Sequence, residues 1–291
     1  MRFLVIGLGS MGKRRIRCLK KMDQTDIVGF DPREDRRAEA EKKYGIKTTG
    51  KISGADLDAV DAVIISTPPD MHNMYIRMAI EKKKPSFVEA SVMLGELEGL
   101  NALAKEKKVL VAPSCTLMFY APLRAIRELI KTGKYGKVTN FNYFSGQYLP
   151  EWHPWEDIKD FYVSKKITGG AREIVPFELT WIVNLFGFPR SVTGFFGKTT
   201  DLGADIDDTY VVSMDFGASY GNMTVDVVSR FALRSLVLNM ERGQALWRWD
   251  ENAVKIYDAA SKEWATLDCR GGKSAEGYNK NIAEEMYVDE L

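Results

Sequence analysis

Gly7, Gly9 and Gly12 form G-x-G-x-x-G at the end of a short apolar run, Phe3-Leu4-Val5-Ile6. Asp31 closes a second such run, Ile27-Val28-Gly29-Phe30. Each glycine has its own task in a dinucleotide-binding turn. Gly7 permits the tight bend, Gly9 lets the backbone approach a pyrophosphate, and Gly12 lets the following helix pack against the strand. Ser10 and Met11 lie at the helix start, where free backbone N–H groups and the positive dipole end face phosphates. Asp31 stands roughly 20 residues beyond the fingerprint, where a carboxylate would bind the adenosine ribose hydroxyls. That carboxylate would repel a 2′-phosphate, so NAD is expected. Arg33, Arg36 and Arg37 follow closely and keep NADP as the alternative, although they also read as ordinary helix charges. No Gly-Lys-Ser/Thr follows the glycines, so nothing supports a P-loop.

A second concentration of chemistry lies in Gln147 to Asp157, with Trp152, His153 and Trp155, followed by Tyr162, Lys165 and Lys166. Aromatic faces stack on sugar rings and polar tips select hydroxyls, so this loop suits a glycan-type ligand. Packing between domains or subunits is the other reading of the same loop.

These residues need a scaffold to bring them together. A helix is expected from Ser10 to about Met22, then a charged helix from Arg33 to Tyr44 closed by Gly45. Ala62-Val63-Ile64-Ile65 reads as a buried strand. It runs into Ser66-Thr67-Pro68-Pro69-Asp70, where Asp70 is expected to cap a helix reaching about Lys83. Ser86-Phe87-Val88, a helix from about Gly95 to Lys107, and Val109 to Ala112 complete the pattern. Strands alternating with helices at this spacing imply a doubly wound α/β domain with an open parallel sheet.

Beyond Met118 the character changes. A helix from about Tyr120 to Thr132 leads to a strand at Val138 to Gly146, and another helix is expected from about Val175 to Leu185. Strands are expected at Ser191–Phe196, Tyr210–Phe216, Asn222–Val228, Ser235–Met240, Gln244–Trp249 and Ala253–Tyr257. Short consecutive strands favour a mostly antiparallel sheet. The expected organisation is a Rossmann domain over residues 1–117 and an α+β domain over 118–291, with the cleft between them the default site. Asn281 to Leu291 looks like the start of an amphipathic helix.

Composition narrows the class of partner. With 41 basic and 40 acidic residues among 291, the net charge of +1 gives no reason to expect nucleic acid or an anionic membrane. Lys13, Arg14, Arg15 and Arg17 read as a solvated helix face. No apolar run approaches the roughly 18 residues of a membrane span. Cys18, Cys115 and Cys269 lie far apart with no metal-ligand spacing, so no metal is expected and a reducing cytoplasm fits them best.

Taken together, these residues resemble the glucose–fructose oxidoreductase / inositol dehydrogenase (Gfo/Idh/MocA) family over nearly the whole chain. The matching features are GLGSMG at Gly7 to Gly12, Ser66-Thr67-Pro68-Pro69-Asp70-Met71-His72, the segment around Glu89, and Gly169-Gly170 leading into a helix that ends Leu185-Phe186-Gly187. The resemblance implies nicotinamide-dependent oxidation or reduction of sugars, inositols or related compounds. It also implies dimers or tetramers through the open sheet, and a C-terminal return helix lying beyond Leu291. In that frame Ser66, Thr67, Pro68, Pro69, His72 and Glu89 border the cofactor, with His72 more a structural or cofactor-edge residue than a proton carrier.

Two departures from the family pattern stand out. Relatives usually carry Glu-Lys-Pro where this chain reads Glu89-Ala90-Ser91. They also carry an Asp and, four residues on, a His, where this chain has Glu173 and Phe177. With that lysine and histidine absent, Glu173, His153, Tyr162 and Lys166 form the pool for proton transfer. Trp152, His153, Trp155, Tyr162, Lys165 and Arg172 form the pool for substrate binding. Glu173 either serves the substrate or ion-pairs with Arg172 or a nearby lysine. The loop at Trp152 also resembles one in relatives associated with nonulosonic sugar pathways. The expectation is an NAD(P)-dependent oxidoreductase of a sugar-like compound, in surface-polysaccharide or nonulosonic-acid metabolism. A catalytically silent, cofactor-binding sensor or partner subunit is the alternative.

Overall fold

The computed structural model describes residues 1–90, 92–152, 157–160, 162–269 and 284–291. The chain forms two compact units, Met1–Ser114 with Tyr287–Leu291, and Cys115–Met286.

The first unit runs β1 (Phe3–Ile6), α1 (Ser10–Lys21), β2 (Ile27–Phe30), α2 (Glu34–Tyr44), β3 (Lys47–Thr49), α3 (Gly54–Asp58), β4 (Ala62–Ile65), α4 (His72–Glu81), β5 (Ser86–Val88), α5 (Leu97–Lys107) and β6 (Val111–Pro113). All strand pairs are parallel and the order is β3-β2-β1-β4-β5-β6. The apolar strands are explained by two cores, one on each face. Leu4, Ile6, Val63 and Ile65 pack against Ile76, Ile80 and Leu100 on one side. Val5 and Ile64 pack against Ile16, Leu19 and Tyr44 on the other. A strand covered on both faces has no solvent side to mark with polar residues.

Three local features of this unit differ from expectation. Asp70 does not cap α4; it lies inside a 3₁₀ turn, Pro69–Met71, and Met71 is the N-cap. Pro69 starts that turn, since its fixed φ and missing N–H suit a first helical position. The short β3 and α3 went unread, although Ser53 and Asp56 form a reciprocal capping box at the start of α3. Arg14 and Arg15 of α1 are not solvated but buried. They lie on the stripe that also carries Ile16, Cys18 and Leu19, where 3.6-residue periodicity points inward.

The second unit contains α6 (Ala121–Thr132), β7 (Val138–Tyr148), α7 (Ala171–Phe186), β8 (Ser191–Gly197), β9 (Thr209–Asp215), β10 (Tyr220–Asp226), β11 (Val228–Met240), β12 (Gly243–Arg248), β13 (Ala253–Asp258) and β14 (Glu263–Asp268). Its eight-stranded sheet has the order β14-β13-β12-β11-β7-β10-β9-β8. All pairs are antiparallel except β7 with β10, where Tyr220 to Asp226 run parallel to Asn140 to Gly146. Strand β14 went unread because it is an edge strand exposed along its whole length. Helix α7 begins four residues earlier than expected, with Pro176 inside it. One proline near a helix start removes a single hydrogen bond, which packing offsets.

The last residues of the final helix, α8 (Glu285–Glu290), group with the first unit, where Leu291 packs against the core and Tyr287 is buried. Residues 281–283 lie outside the described part.

Candidate active site

The fingerprint turn is shaped by close approach of backbone to backbone. Gly7 has φ +91°, and a Cβ there would lie 2.6 Å from the Ser66 carbonyl oxygen. A Cβ on Gly12 would lie 1.8 Å from the Gly7 carbonyl oxygen. Both glycines are therefore demanded by the protein's own packing. Gly9 differs, because its Cβ position meets only the Arg36 side chain, at 3.6 Å. Nothing in the chain itself requires a glycine there, whereas a pyrophosphate approaching the backbone would. Gly9 is the N-cap of α1 and supplies no side-chain cap, so the N–H groups of Ser10, Met11 and Gly12 have no intrahelical acceptor. Thr67 Oγ1, on the turn that abuts Gly7, is buried with no hydrogen-bond partner. An open glycine, the N-terminus of α1 and an orphaned hydroxyl together fit a dinucleotide phosphate.

Asp31 is buried at the end of β2. Its Oδ2 accepts from Leu8 N–H at 2.9 Å and its Oδ1 from Arg33 N–H at 2.9 Å. The three nearby arginines divide their work. Arg33 forks onto Asp35, Arg37 donates to the carbonyls of Asp31 and Pro32, and Arg36 Nη1 lies 3.7 Å from the Asp31 carboxylate. Arg36 is thus the arginine beside both the carboxylate and Gly9.

On the other side of β1, Ser66, Thr67, Pro68 and Pro69 form the turn after β4. His72 is buried at the start of α4 and its Nε2 meets the Thr67 carbonyl at 2.8 Å. Burial lowers the imidazole pKa, so the ring is neutral, with Nε2 donating and Nδ1 left without a partner. His72 thereby fastens the Thr67 carbonyl. Glu89, at the end of β5, receives a two-pronged ion pair from Arg15 and lies 3.4 Å from Ser66 Oγ. Ser91 lies outside the described residues.

The second unit holds a group with unusual proton affinity. Tyr162 opens a 3₁₀ turn, Tyr162–Ser164, and Gly169-Gly170 press that turn against the start of α7. A Cβ on Gly169 would fall 1.8 Å from the Val163 carbonyl oxygen, and one on Gly170, at φ +68°, 2.6 Å from that of Asp207. Only a glycine pair allows this approach, which Gly170 N–H to Val163 O and Ala171 N–H to Asp207 O fasten. As a result the Tyr162 hydroxyl donates to Glu173 Oε1, while Glu173 Oε2 is buried without a partner. Among the described residues no ion pair from Glu173 to Arg172 or a lysine forms. Burial pushes the carboxyl pKa up to about 7, against a smaller lowering by the Tyr162 hydrogen bond.

Lys165, Lys166 and Arg172 are exposed. Trp152 is half-buried, with its Nε1 lacking a partner. His153 and Trp155 lie outside the described residues. Sequence reading missed Arg15, although its place three residues after Gly12 on an otherwise apolar stripe was the available signal. It also missed Glu178, which accepts from Tyr143, Ser145, Trp181 and Arg234 at 2.6–3.1 Å.

Comparison with known proteins agrees with this geometry. Residues 1–114 match the model of the oxidoreductase family with an NAD-binding Rossmann fold, and residues 123–246 match the C-terminal domain of the same family. An uncharacterized oxidoreductase of Streptococcus pneumoniae serotype 4 is 27% identical over 291 residues, covering 95% of this chain and 72% of the relative. Among solved structures, an oxidoreductase of Agrobacterium radiobacter in complex with NAD+, L-tartaric acid and magnesium aligns with a TM-score of 0.85. Its identity is 13%, over 99% of this chain and 85% of that one. Levoglucosan dehydrogenase in complex with NADH aligns with a TM-score of 0.81 and 16% identity, over 100% of this chain and 87% of that one. With a glycine turn at Gly7 to Gly12 of dinucleotide-binding spacing, a buried carboxylate at Asp31 and both family domains matched in order, the chain belongs to the Gfo/Idh/MocA family of NAD-binding oxidoreductases.

Proposed function

We propose that this oxidoreductase acts on a hydroxyl or carbonyl of a sugar-derived compound, and that Glu173, oriented by Tyr162, exchanges the proton. NAD, held at the Gly7 to Gly12 turn and Asp31, would supply the hydride acceptor or donor. The protein must then take a proton from the alcohol or give one to the alkoxide. The observation that carries this reading is the state of Glu173: a buried carboxyl with a pKa near 7, one oxygen held by Tyr162 and the other unengaged. A group titrating near the operating pH is the effective general acid or base. A sugar-like substrate is supported by the aromatic segment at Trp152 and by the likeness to levoglucosan dehydrogenase.

The domain expected over residues 118–291, apart from the Tyr287–Leu291 segment that groups with the first unit, supplies substrate binding and self-association in this reading. In the eight-stranded sheet, α7 packs on the face bearing Tyr143 and Ser145. The opposite face carries a chain of amide contacts, Gln244 to Asn239 to Asn140 and Ser213 to Asn222 to Asn142. Exposed Phe195, Val211, Tyr220 and Trp264 flank it. A second copy of the chain covering that face gives a homodimer, or a tetramer built from it, which sedimentation analysis would read directly.

The test of the activity is fluorescence titration with NADH and NADPH, followed by turnover with a panel of keto-sugars. NADH binding with oxidation by one sugar, lost in Glu173→Gln while NADH still binds, is the expected result. Binding without turnover across the panel would overturn the substrate class. Turnover that Glu173→Gln leaves intact would overturn the role of Glu173.

A further inference from the structure

Arg15 is fully buried in α1, one turn beyond the fingerprint, at the centre of a joint between three separate segments. Its Nε and Nη2 meet Glu89 Oε1 and Oε2 at 2.6 and 3.0 Å. Nη2 also meets Glu290 Oε2 at 3.0 Å and Ser114 Oγ at 3.4 Å, and Nη1 donates to the Tyr287 carbonyl at 3.3 Å. The guanidinium lies over the Phe87 ring at 4.5 Å. Ser114 Oγ in turn reaches Glu290 Oε1 at 2.9 Å, which closes the network.

A buried ion pair is a poor device for stability, because desolvation of the charges offsets their attraction and apolar side chains of equal volume do as well. What such a network supplies is fixed geometry, since a planar guanidinium gripping a carboxylate with two bonds leaves it little freedom. Here the joint is graded in exposure. The Arg15 and Glu290 side chains are 0% and 2% exposed, whereas that of Glu89 is 12% exposed. Glu89 is therefore the tip and the other two are the root. That tip stands at the end of β5, beside Ser66, whose carbonyl abuts Gly7. Since Asp31 marks the adenosine side on β2, the ends of β4 and β5 lie on the nicotinamide side of the switch point.

We propose that Arg15 is a positioning residue for the nicotinamide half of the cofactor site. It acts through Glu89, and Glu290 of the last helix anchors it from behind. The inference rests on the assignment of the fingerprint turn to NAD, and the experiment separates the two. Binding of NADH and of ADP-ribose, which has the adenosine and both phosphates but no nicotinamide, is measured for the wild type, Arg15→Lys and Glu290→Ala. Losing charge-assisted bonds of this kind costs about 1.5–3 kcal/mol, so Arg15→Lys should weaken NADH roughly 10- to 100-fold. Glu290→Ala, which leaves the grip on Glu89 intact, should weaken NADH by a smaller factor in the same sense. ADP-ribose affinity should stay within about twofold of wild type in both, as expected for a ligand that never reaches Glu89.

If both ligands weaken together, or if neither changes while the melting temperature falls, Arg15 is only structural and the proposal is overturned. Should Arg15→Lys fail to fold, the ratio of the two affinities in Glu290→Ala decides alone. A wild type that binds neither ligand would overturn the cofactor assignment itself.

Discussion

Glu173 and Glu178 lie five residues apart on the same helix, yet their surroundings give them different chemistry. Glu178 is fully buried and satisfied: Tyr143 and Trp181 donate to one oxygen, Ser145 and Arg234 to the other. The Arg234 guanidinium makes the Glu178 pair an ion pair and lies over the Trp249 ring at 4.4 Å. Glu173 has a single donor, Tyr162, and an oxygen facing nothing. A carboxylate surrounded by donors and a cation is a structural pin. One that is buried but under-supplied is held near its titration point. Residue type and helix are the same, so the number and charge of the donors decide.

The largest expected effect tests Glu173, the proposed proton carrier. Glu173→Gln keeps the shape and the Tyr162 contact but cannot exchange a proton, so turnover should fall about 10²- to 10⁴-fold. NADH affinity should be unchanged, as NAD-linked absorbance assays and fluorescence titration would show. The pH profile adds a direction. Oxidation of an alcohol should quicken as pH rises through about 7, where the Glu173 carboxylate forms, and carbonyl reduction should slow over the same range.

Glu178 should respond in stability. Glu178→Ala takes the paired carboxylate away from the buried Arg234 charge and should cost about 3–5 kcal/mol in urea unfolding.

Glu173→Gln should shift stability the other way, and only above acid pH. In the folded chain Glu173 has a pKa of about 7, against an ordinary value of 4.5. The folded state therefore holds a proton that the unfolded chain has released between these values. The Glu173 contribution to stability is greatest below pH 4.5, falls as pH rises to about 7, and is flat above. By about 1.4 kcal/mol per unit, that cost approaches about 3 kcal/mol. Glu173→Gln removes it, so the variant should be the more stable protein at pH 8 and gain little at pH 4. Equal unfolding curves at both pH values would contradict the raised pKa.

The smallest effect belongs to Tyr162→Phe. The Tyr162 hydroxyl lowers the Glu173 pKa, so its loss should move the midpoint of the pH–rate profile upward by about one unit, the equivalent of one ordinary hydrogen bond.

The legibility of the two units differs for related reasons. In the first unit, strands covered on both faces are written as continuous apolar runs, and the glycine spacing is a compact motif, although the contact that demands Gly7 comes from the distant Ser66. Both can be read without knowing the rest of the chain. The arginines of α1 misled, because a run of basic residues normally marks a solvated face. Burial of Arg15 depends on Glu89 and Glu290, which are 74 and 275 positions away. In the second unit, β14 is a fully exposed edge strand with no buried face to betray it. Pro176 hid the first turn of α7, where Glu173 lies. The parallel pairing of β7 with β10 joins segments about 80 residues apart, and nothing local encodes it.

The sequence by itself determined the glycine turn at Gly7 to Gly12, the acidic residue at the end of β2 and the alternation that builds a doubly wound sheet, because each is written in a short stretch of residue types and spacing. It also placed Tyr162, Gly169-Gly170 and Glu173 close together in the chain. Only the tertiary structure decided which carboxylates are pinned and which are poised. Donor count and desolvation are set by what packs around a group, and for Glu89, Glu178 and Glu290 those partners come from distant segments.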